Sequence, residues 1–267
     1  FQPAGFTQKT KAHEKTISLN DGGTISDWAS FESYQWPQPA APAYAILDEM
    51  AAEVPAGMKL IAYGPGGVLE NLIGLVGYES LCLLLIDDPA LAGAIFDRVG
   101  STLLRHYELV MQHDIVGAAI VNDDWGFKTQ TMLSPQQMKQ YVYPWTRQIV
   151  AAIHAAGRPA IQHSCGCFRD VIDDVIDDLR FDGRHSYEDT IMPVEEAYEK
   201  YGRRLAIMGG IDLDFLVRRS PAEVYQRSKA MLERAGTRGS YALGSGNSIP
   251  EYVPQENYLA MIRAAVE

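Results

Sequence analysis

Six short apolar segments, separated by helical segments of about ten residues or more, constrain the fold of this 267-residue chain most strongly. Strands joined through helices of this length pair in parallel, because parallel neighbours need a long crossover connection. We therefore expect an α/β fold with a parallel sheet. The predicted strands lie near residues 59–63, 117–124, 158–163, 181–184, 204–208 and 240–243.

The polar, glycine-rich and titratable residues cluster at the C-terminal end of each predicted strand. That asymmetry is typical of a (β/α)₈ TIM barrel, whose active site is built from the loops at its C-terminal face. A doubly wound open sheet is the alternative, because its ligands also bind at the carboxyl ends of strands. We expect a single domain over residues 1–267, with an irregular segment at 1–42. The missing strands would lie in that segment or upstream of Phe1, since a chain that does not begin with Met suggests preceding native residues.

The predicted helices alternate with these strands. Ser134 and Ser220 each stand before a proline and three residues before Gln137 or Glu223, the pattern of a capping box with proline at the first helical position. A long helical stretch up to about residue 113 is interrupted near residues 87–89 (Asp-Asp-Pro). The other helices are expected near residues 43–53, 134–156, 170–179, 193–201, 220–234 and from 254 onward.

Composition excludes several classes of function. The net charge of −11 repels phosphate backbones, and no basic stripe with interleaved aromatic residues is present, so nucleic acid is not an expected partner. The apolar run at residues 81–86 is far too short to cross a bilayer, and no membrane association is expected. Three cysteines, an odd number, do not form a disulfide framework, which favours a reducing cytoplasm.

The third predicted strand ends in His163-Ser164-Cys165, and residues two apart on a strand point to the same face. An imidazole and a thiol placed so close together can bind one borderline cation, with zinc as the first candidate. The alternative is a hydrogen-bonded histidine beside two ordinary thiols, Cys165 and Cys167. A zinc site needs further ligands from elsewhere in the chain or from a substrate.

If the barrel forms, one face collects further candidates for chemistry. Asp124 shares strand parity with Asn122 and is expected to face the barrel axis, as a metal ligand or as a carboxylate that orients a ligand histidine. The alternative is an N-terminal cap of the following helical segment. In a reaction at this face, Asp124 or Glu188 would manage the proton. His185 and Glu188 could exchange a proton with substrate, or could form a structural pair. Asp123 points the other way and could hold a neighbouring loop. The predicted substrate-binding residues are Tyr63, Asn122, Asp123, Asp212, Ser245 and Asn247.

The chain from residue 59 to the C-terminus resembles the uroporphyrinogen decarboxylase superfamily, which includes methylcobalamin:coenzyme M methyltransferases and related corrinoid-linked enzymes. The resemblance implies a TIM barrel. It lies in the order and spacing of short motifs rather than in any one of them. These motifs are residues 122–126 (Asn-Asp-Asp-Trp-Gly), 134–138, 143–144, 154–166, 208–212 (Met-Gly-Gly-Ile-Asp), 244–250 and 254–257.

Two features place the resemblance nearer to the methyltransferase branch. The arginine-rich N-terminal motif of the decarboxylases, which binds the acidic tetrapyrrole, is not found here. His163 and Cys165 are similar to the methyltransferase zinc ligands, which are His-x-Cys and a later cysteine. Asn247 stands where that later cysteine is expected, so the third ligand would be Cys167, a carboxylate such as Asp124 or Glu188, or the substrate.

The resemblance implies zinc-assisted methyl transfer between a small methylated substrate or thiol and a corrinoid, free or carried by a partner protein. Metal-free decarboxylation of uroporphyrinogen is the alternative. Arg184 is then the one arginine near the expected active-site face, because Arg158, Arg203 and Arg204 stand at strand starts. A non-catalytic barrel that binds a small molecule or a corrinoid partner is a further alternative, which the density of titratable groups disfavours.

Overall fold

The computed structural model describes residues 23–267. The six strands form one parallel sheet in the order β1 to β6, as the alternating pattern predicts. The chain divides into two compact units, each described separately below. The first comprises residues 23–124 and 133–160, and the second comprises residues 125–132 and 161–267.

The first unit contains two of the strands, separated by helices. Its elements are α1 (Trp28–Ser33), a 3₁₀ turn (Ala41–Tyr44), α2 (Ile46–Glu53), β1 (Leu60–Tyr63), α3 (Val68–Val76), α4 (Tyr78–Asp87), α5 (Pro89–Val110), β2 (Val116–Asn122), α6 (Pro135–Gln137), a π-helical segment (Met138–Val142) and α7 (Tyr143–Ala155). Its core is formed mainly by α3, α5, α7 and β2. β1 pairs with β2 in parallel, with Tyr63 beside Ile120.

Local chemistry explains the helix boundaries of this unit. Asp88 caps α5 by accepting a hydrogen bond from the backbone N–H of Leu91 at 3.0 Å, and Pro89 occupies the first turn, where its missing N–H costs nothing. The predicted interruption near residues 87–89 is therefore confirmed. α5 buries Ile95, Val99 and Leu103 at helical spacing, the apolar stripe that packs it into the core.

The second unit continues the alternation. Its elements are β3 (Ala160–His163), a π-helical segment (Asp174–Asp178), β4 (Gly183–His185), α8 (Val194–Tyr201), β5 (Ala206–Met208), α9 (Leu213–Arg218), α10 (Pro221–Ala235), β6 (Tyr241–Ala242) and α11 (Gln255–Val266). Ala160, the first residue of β3, is counted with the first unit. The parallel register places His163 beside His185 and Arg184 beside Ile207.

The structure also contains elements that the sequence did not predict. α1 forms inside the segment expected to be irregular, capped by Asp27, whose carboxylate accepts a hydrogen bond from the Ser30 N–H at 2.8 Å. α9 was missed because it is only six residues long, too short for a periodic pattern. Residues 1–22 of the predicted irregular segment lie outside the described residues.

Within residues 23–267, no single helix is long and apolar enough to span a membrane. Among the described residues, one pair of consecutive helices, α3 and α4, reaches the required length and hydropathy together, and the two helices are bent by 95° at their junction.

Candidate active site

Two histidines stand side by side at the ends of β3 and β4. The register pairs His163 with His185, so both rings leave the sheet on the same face. The rings are stacked at 24° with centroids 4.9 Å apart, and their Nδ1 atoms are 2.7 Å from each other. A distance this short requires one Nδ1 to donate a proton to the other.

The second nitrogen of His185 is also held. His185 Nε2 lies 3.0 Å from the backbone carbonyl of Ser245, in the loop that follows β6. Burial is the main cause that lowers the pKa of His185 to about 4, and the nearby His163 and Arg184 lower it further. His185 is therefore a neutral imidazole at neutral pH.

Cys165 completes a compact group with His163 and Asn247. Its Sγ lies 3.7 Å from His163 Nε2 and accepts a hydrogen bond from Asn247 Nδ2 at 3.1 Å. Asn247 Oδ1 accepts a hydrogen bond from the Ser248 backbone N–H at 2.8 Å, which fixes the amide with its nitrogen towards the sulfur. Ser245 Oγ in turn donates to the Asn247 carbonyl at 2.6 Å. We call His163, Cys165, His185, Ser245 and Asn247 the histidine–thiol cluster.

The backbone around Cys165 is fixed by residues 125–127. Ser164 Oγ accepts a hydrogen bond from the Trp125 N–H at 3.1 Å, and the Phe127 carbonyl accepts one from the Cys167 N–H at 2.6 Å. Gly166 has a φ of +79°, and a Cβ at this position would overlap the backbone of Gly126. Only glycine therefore allows this close approach.

Arg184 is fully buried on the opposite face of β4. Its guanidinium donates to the Ser164 carbonyl at 2.9 Å and to the Ser186 carbonyl. Its Cζ lies 4.0 Å from the ring centroid of Phe168 and 5.2 Å from that of Tyr187, so two aromatic faces cover it. Arg184 thus binds the backbone just after both strands that carry the histidines, β3 and β4. The sequence did not predict this role, because an arginine in a three-residue strand gives no sign of its partners.

Two other predicted residues of this unit lie in a separate set of contacts. Asp212 accepts hydrogen bonds from the N–H groups of Asp214 and Phe215, which caps α9, and from the Asp189 N–H at 2.8 Å. Asp189 in turn forms a two-bond ion pair with Arg227. Both oxygens of Asp212 are therefore occupied by backbone donors. Glu188 is partly exposed in the loop that joins β4 to α8.

The predicted residues of the first unit are placed around the loop after β1. The Asp123 carboxylate accepts hydrogen bonds from the N–H groups of Leu69 at 3.1 Å and Glu70 at 2.8 Å, so it caps α3. Asn122, with its nitrogen 2.9 Å from the Gly64 carbonyl, holds the same loop. Tyr63 is exposed and Asp124 is partly buried.

The structure thus brings five predicted residues into the histidine–thiol cluster. Cys167, predicted as a further ligand, is 5% exposed. An imidazole nitrogen and a sulfur that face each other are ligands suited to zinc, and a thiol held beside an imidazole and an amide N–H is also suited to act as a nucleophile.

Comparison with known proteins identifies the family. The family model described as uroporphyrinogen decarboxylase (URO-D) matches residues 13–267. A uroporphyrinogen decarboxylase of Myxococcus xanthus (strain DK1622) is 27% identical over 178 residues, which cover 65% of this chain but only 47% of that protein. A uroporphyrinogen decarboxylase of Anaeromyxobacter dehalogenans (strain 2CP-C) is 24% identical over 255 residues, 91% of this chain and 69% of that protein.

Solved structures show the same fold. A methyltransferase from Methanosarcina mazei superposes with a TM-score of 0.68 at 16% identity, over 92% of this chain and 68% of that chain. A putative vitamin-B12 independent methionine synthase from Listeria monocytogenes gives a TM-score of 0.52 at 14% identity, over 86% of this chain and 69% of that chain.

Six parallel strands in sequential order, alternating with helices, confirm the predicted α/β fold of the TIM-barrel class. The family match extends over nearly the whole sequence. The chain therefore belongs to the uroporphyrinogen decarboxylase (URO-D) family, a family of enzymes.

Proposed function

We propose that this chain is a zinc-assisted methyltransferase that moves a methyl group between a small methylated substrate or thiol and a corrinoid. The observation that carries the proposal is the 3.7 Å distance between His163 Nε2 and Cys165 Sγ. Zinc bonds of about 2.3 Å to sulfur and 2.0–2.1 Å to nitrogen, at a tetrahedral angle, place the two ligand atoms about 3.6 Å apart. The pair therefore fits one zinc ion without rearrangement.

The proposed zinc ligands of this chain differ from the set of one histidine and two cysteines that the resemblance to the methyltransferase branch implies. Asn247 occupies the position expected for a later cysteine, but its oxygen is engaged by Ser248 and its nitrogen donates to Cys165. Asn247 is thus a hydrogen-bond donor to the Cys165 sulfur rather than a ligand. The third ligand that we propose is Cys167, a carboxylate such as Asp124 or Glu188, or the substrate itself.

Zinc in this site would act as a Lewis acid that activates a thiol or polarises the oxygen of a methyl ether. The chain itself would orient the reaction. Asn247 holds the Cys165 sulfur in place, and the partly exposed Glu188 is the carboxylate that we propose to accept or donate the proton. The corrinoid would come from solution or from a separate corrinoid protein.

Uroporphyrinogen decarboxylation is the second candidate, favoured by the names of the two curated relatives. That reaction needs cationic side chains that grip several carboxylates. Arg184 is fully buried and donates to two backbone carbonyls. Arg158 binds the Met111 carbonyl and Arg204 binds two aspartates on the surface. These contacts favour the methyltransferase over the decarboxylase.

Zinc content tests the proposal directly. We expect the purified protein to hold about one equivalent of zinc, as one three-ligand site requires, and the Cys165→Ser variant to lose it. Cys82→Ser is the matched control, because Cys82 lies in α4 and should leave the zinc content unchanged. Parallel Asp124→Asn and Cys167→Ser variants identify the third ligand.

Activity separates the two candidates. The methyltransferase should consume methylcobalamin in the presence of a small thiol, and a zinc chelator should stop it. Turnover of uroporphyrinogen that continues undiminished in chelator, with zinc below about a tenth of an equivalent, would establish the decarboxylase instead.

A further inference from the structure

The histidine–thiol cluster contains a chain of hydrogen bonds whose direction is set at one end. A backbone carbonyl can only accept, so the 3.0 Å contact with Ser245 requires a proton on His185 Nε2. A neutral imidazole carries one ring proton, so His185 Nδ1 then holds a lone pair. The 2.7 Å contact between the two Nδ1 atoms is therefore a hydrogen bond from His163 to His185.

The same count determines the state of the other ring. If His163 Nδ1 carries the proton, Nε2 of the neutral ring carries the lone pair, and this is the atom that faces the Cys165 sulfur at 3.7 Å. The opposite tautomer would place a proton between nitrogen and sulfur, where a cation is to bind. The strand register and the stacking of the rings at 24° fix the position of the His163 ring. A rotation of that ring by 180° would replace Nδ1 by a carbon atom and break the hydrogen bond to His185.

We propose that His185 is a positioning residue that fixes His163 in the tautomer with its Nε2 lone pair directed at the metal and thiol side of the cluster. This assigns His185 a role other than the proton transfer with substrate that the sequence suggested. The Ser245 carbonyl, which can only accept, sets the direction of both hydrogen bonds in this series. The role in metal binding rests on the proposed function, but the tautomer itself does not.

Histidine ¹⁵N NMR of the metal-free wild-type protein tests the tautomer without any activity. The chain has six histidines, and the His163 and His185 signals can be assigned by their loss in His163→Asn and His185→Asn variants. We expect the protonated nitrogen to be Nδ1 in His163 and Nε2 in His185. A protonated Nε2 in His163 would overturn the proposal, whether or not the protein binds zinc.

Two substitutions test the consequence for metal binding. His185→Asn can present its side-chain oxygen where Nδ1 stood, whereas His185→Leu offers no acceptor. We expect zinc affinity, measured by competition with a chelator, to fall about 10- to 100-fold in His185→Leu, the usual effect of losing a partner of a ligand histidine, and to recover in His185→Asn.

Equal zinc affinities in His185→Leu and wild type would overturn the positioning role. A wild type that binds no zinc but shows the expected tautomers would instead contradict the proposed metal chemistry and leave the tautomer assignment established. If His185→Leu does not fold, the wild-type NMR measurement still decides the assignment.

Discussion

Acid should destabilise this protein through one buried histidine of α5. His106 is 5% exposed, and its Nδ1 lies 2.8 Å from the hydroxyl of Tyr44, itself buried. Burial lowers the pKa of His106 from 6.5 to about 4, so the folded state holds a neutral ring. The unfolded chain takes up a proton as the pH falls below 6.5, and the folded chain takes it up only near pH 4. Stability is therefore full above pH 6.5 and declines between these two values.

The size of the effect follows from the pKa difference. One pKa unit corresponds to 1.36 kcal/mol of unfolding free energy. The shift from 6.5 to about 4 therefore lowers the free energy of unfolding by about 3.4 kcal/mol once the pH is well below 4. Between pH 7 and pH 5 the loss from this residue is about 2 kcal/mol. His106→Asn, which can still accept a hydrogen bond from Tyr44, should lack this part of the pH dependence.

Urea unfolding at pH 7, 6 and 5 measures the prediction. The difference in unfolding free energy between wild type and His106→Asn should change by about 2 kcal/mol over this range. Tyr44→Phe is the matched control, because it removes the hydroxyl but keeps the titrating ring. It should lower stability by a constant amount of about 0.5–1.5 kcal/mol. Parallel pH profiles for wild type and His106→Asn would refute the reasoning.

Three further structural roles can be tested by substitution and thermal or urea unfolding. Asp123→Asn removes the charge that caps α3 and should cost about 1 kcal/mol, and an unchanged midpoint would contradict the capping role. Gly166→Ala and Gly157→Ala both place an alanine at positive φ, which costs about 1–2 kcal/mol each, but only Gly166 faces the backbone of Gly126. Gly166→Ala should therefore be clearly less stable than Gly157→Ala, and equal losses would show that the close approach is not needed. Arg184→Lys keeps the charge but cannot bridge two carbonyls, and should cost about 1.5–3 kcal/mol, the value of one hydrogen bond to a charged group, whereas full stability would exclude the bridging role.

The sequence predicts the fold well because its signals are local and repeated. Alternating apolar strands and capped helices determine the parallel order, and Ser134 and Ser220 form the predicted capping boxes. The pairing of His163 with Cys165 also follows from strand parity. These inferences need only the period of two residues along a strand.

Other parts of the site depend on distances between remote segments, which a single sequence does not contain. Asp123 and Asp212 stand near strand ends, a position that suits substrate binding as well as capping, and only the structure shows the backbone donors that occupy their carboxylates. The contact between His163 and His185 depends on the register of two strands 22 residues apart. The role of Arg184 depends on the two aromatic rings that cover it.

The position of Arg184 has a consequence for engineering this site. A single guanidinium bridges the turns that carry the thiol and the second imidazole, so these turns cannot be adjusted one at a time. Replacements in the two turns should show coupled, non-additive effects in a double-mutant cycle, and removing the arginine should uncouple them. Attempts to change selectivity here will have to vary both turns together.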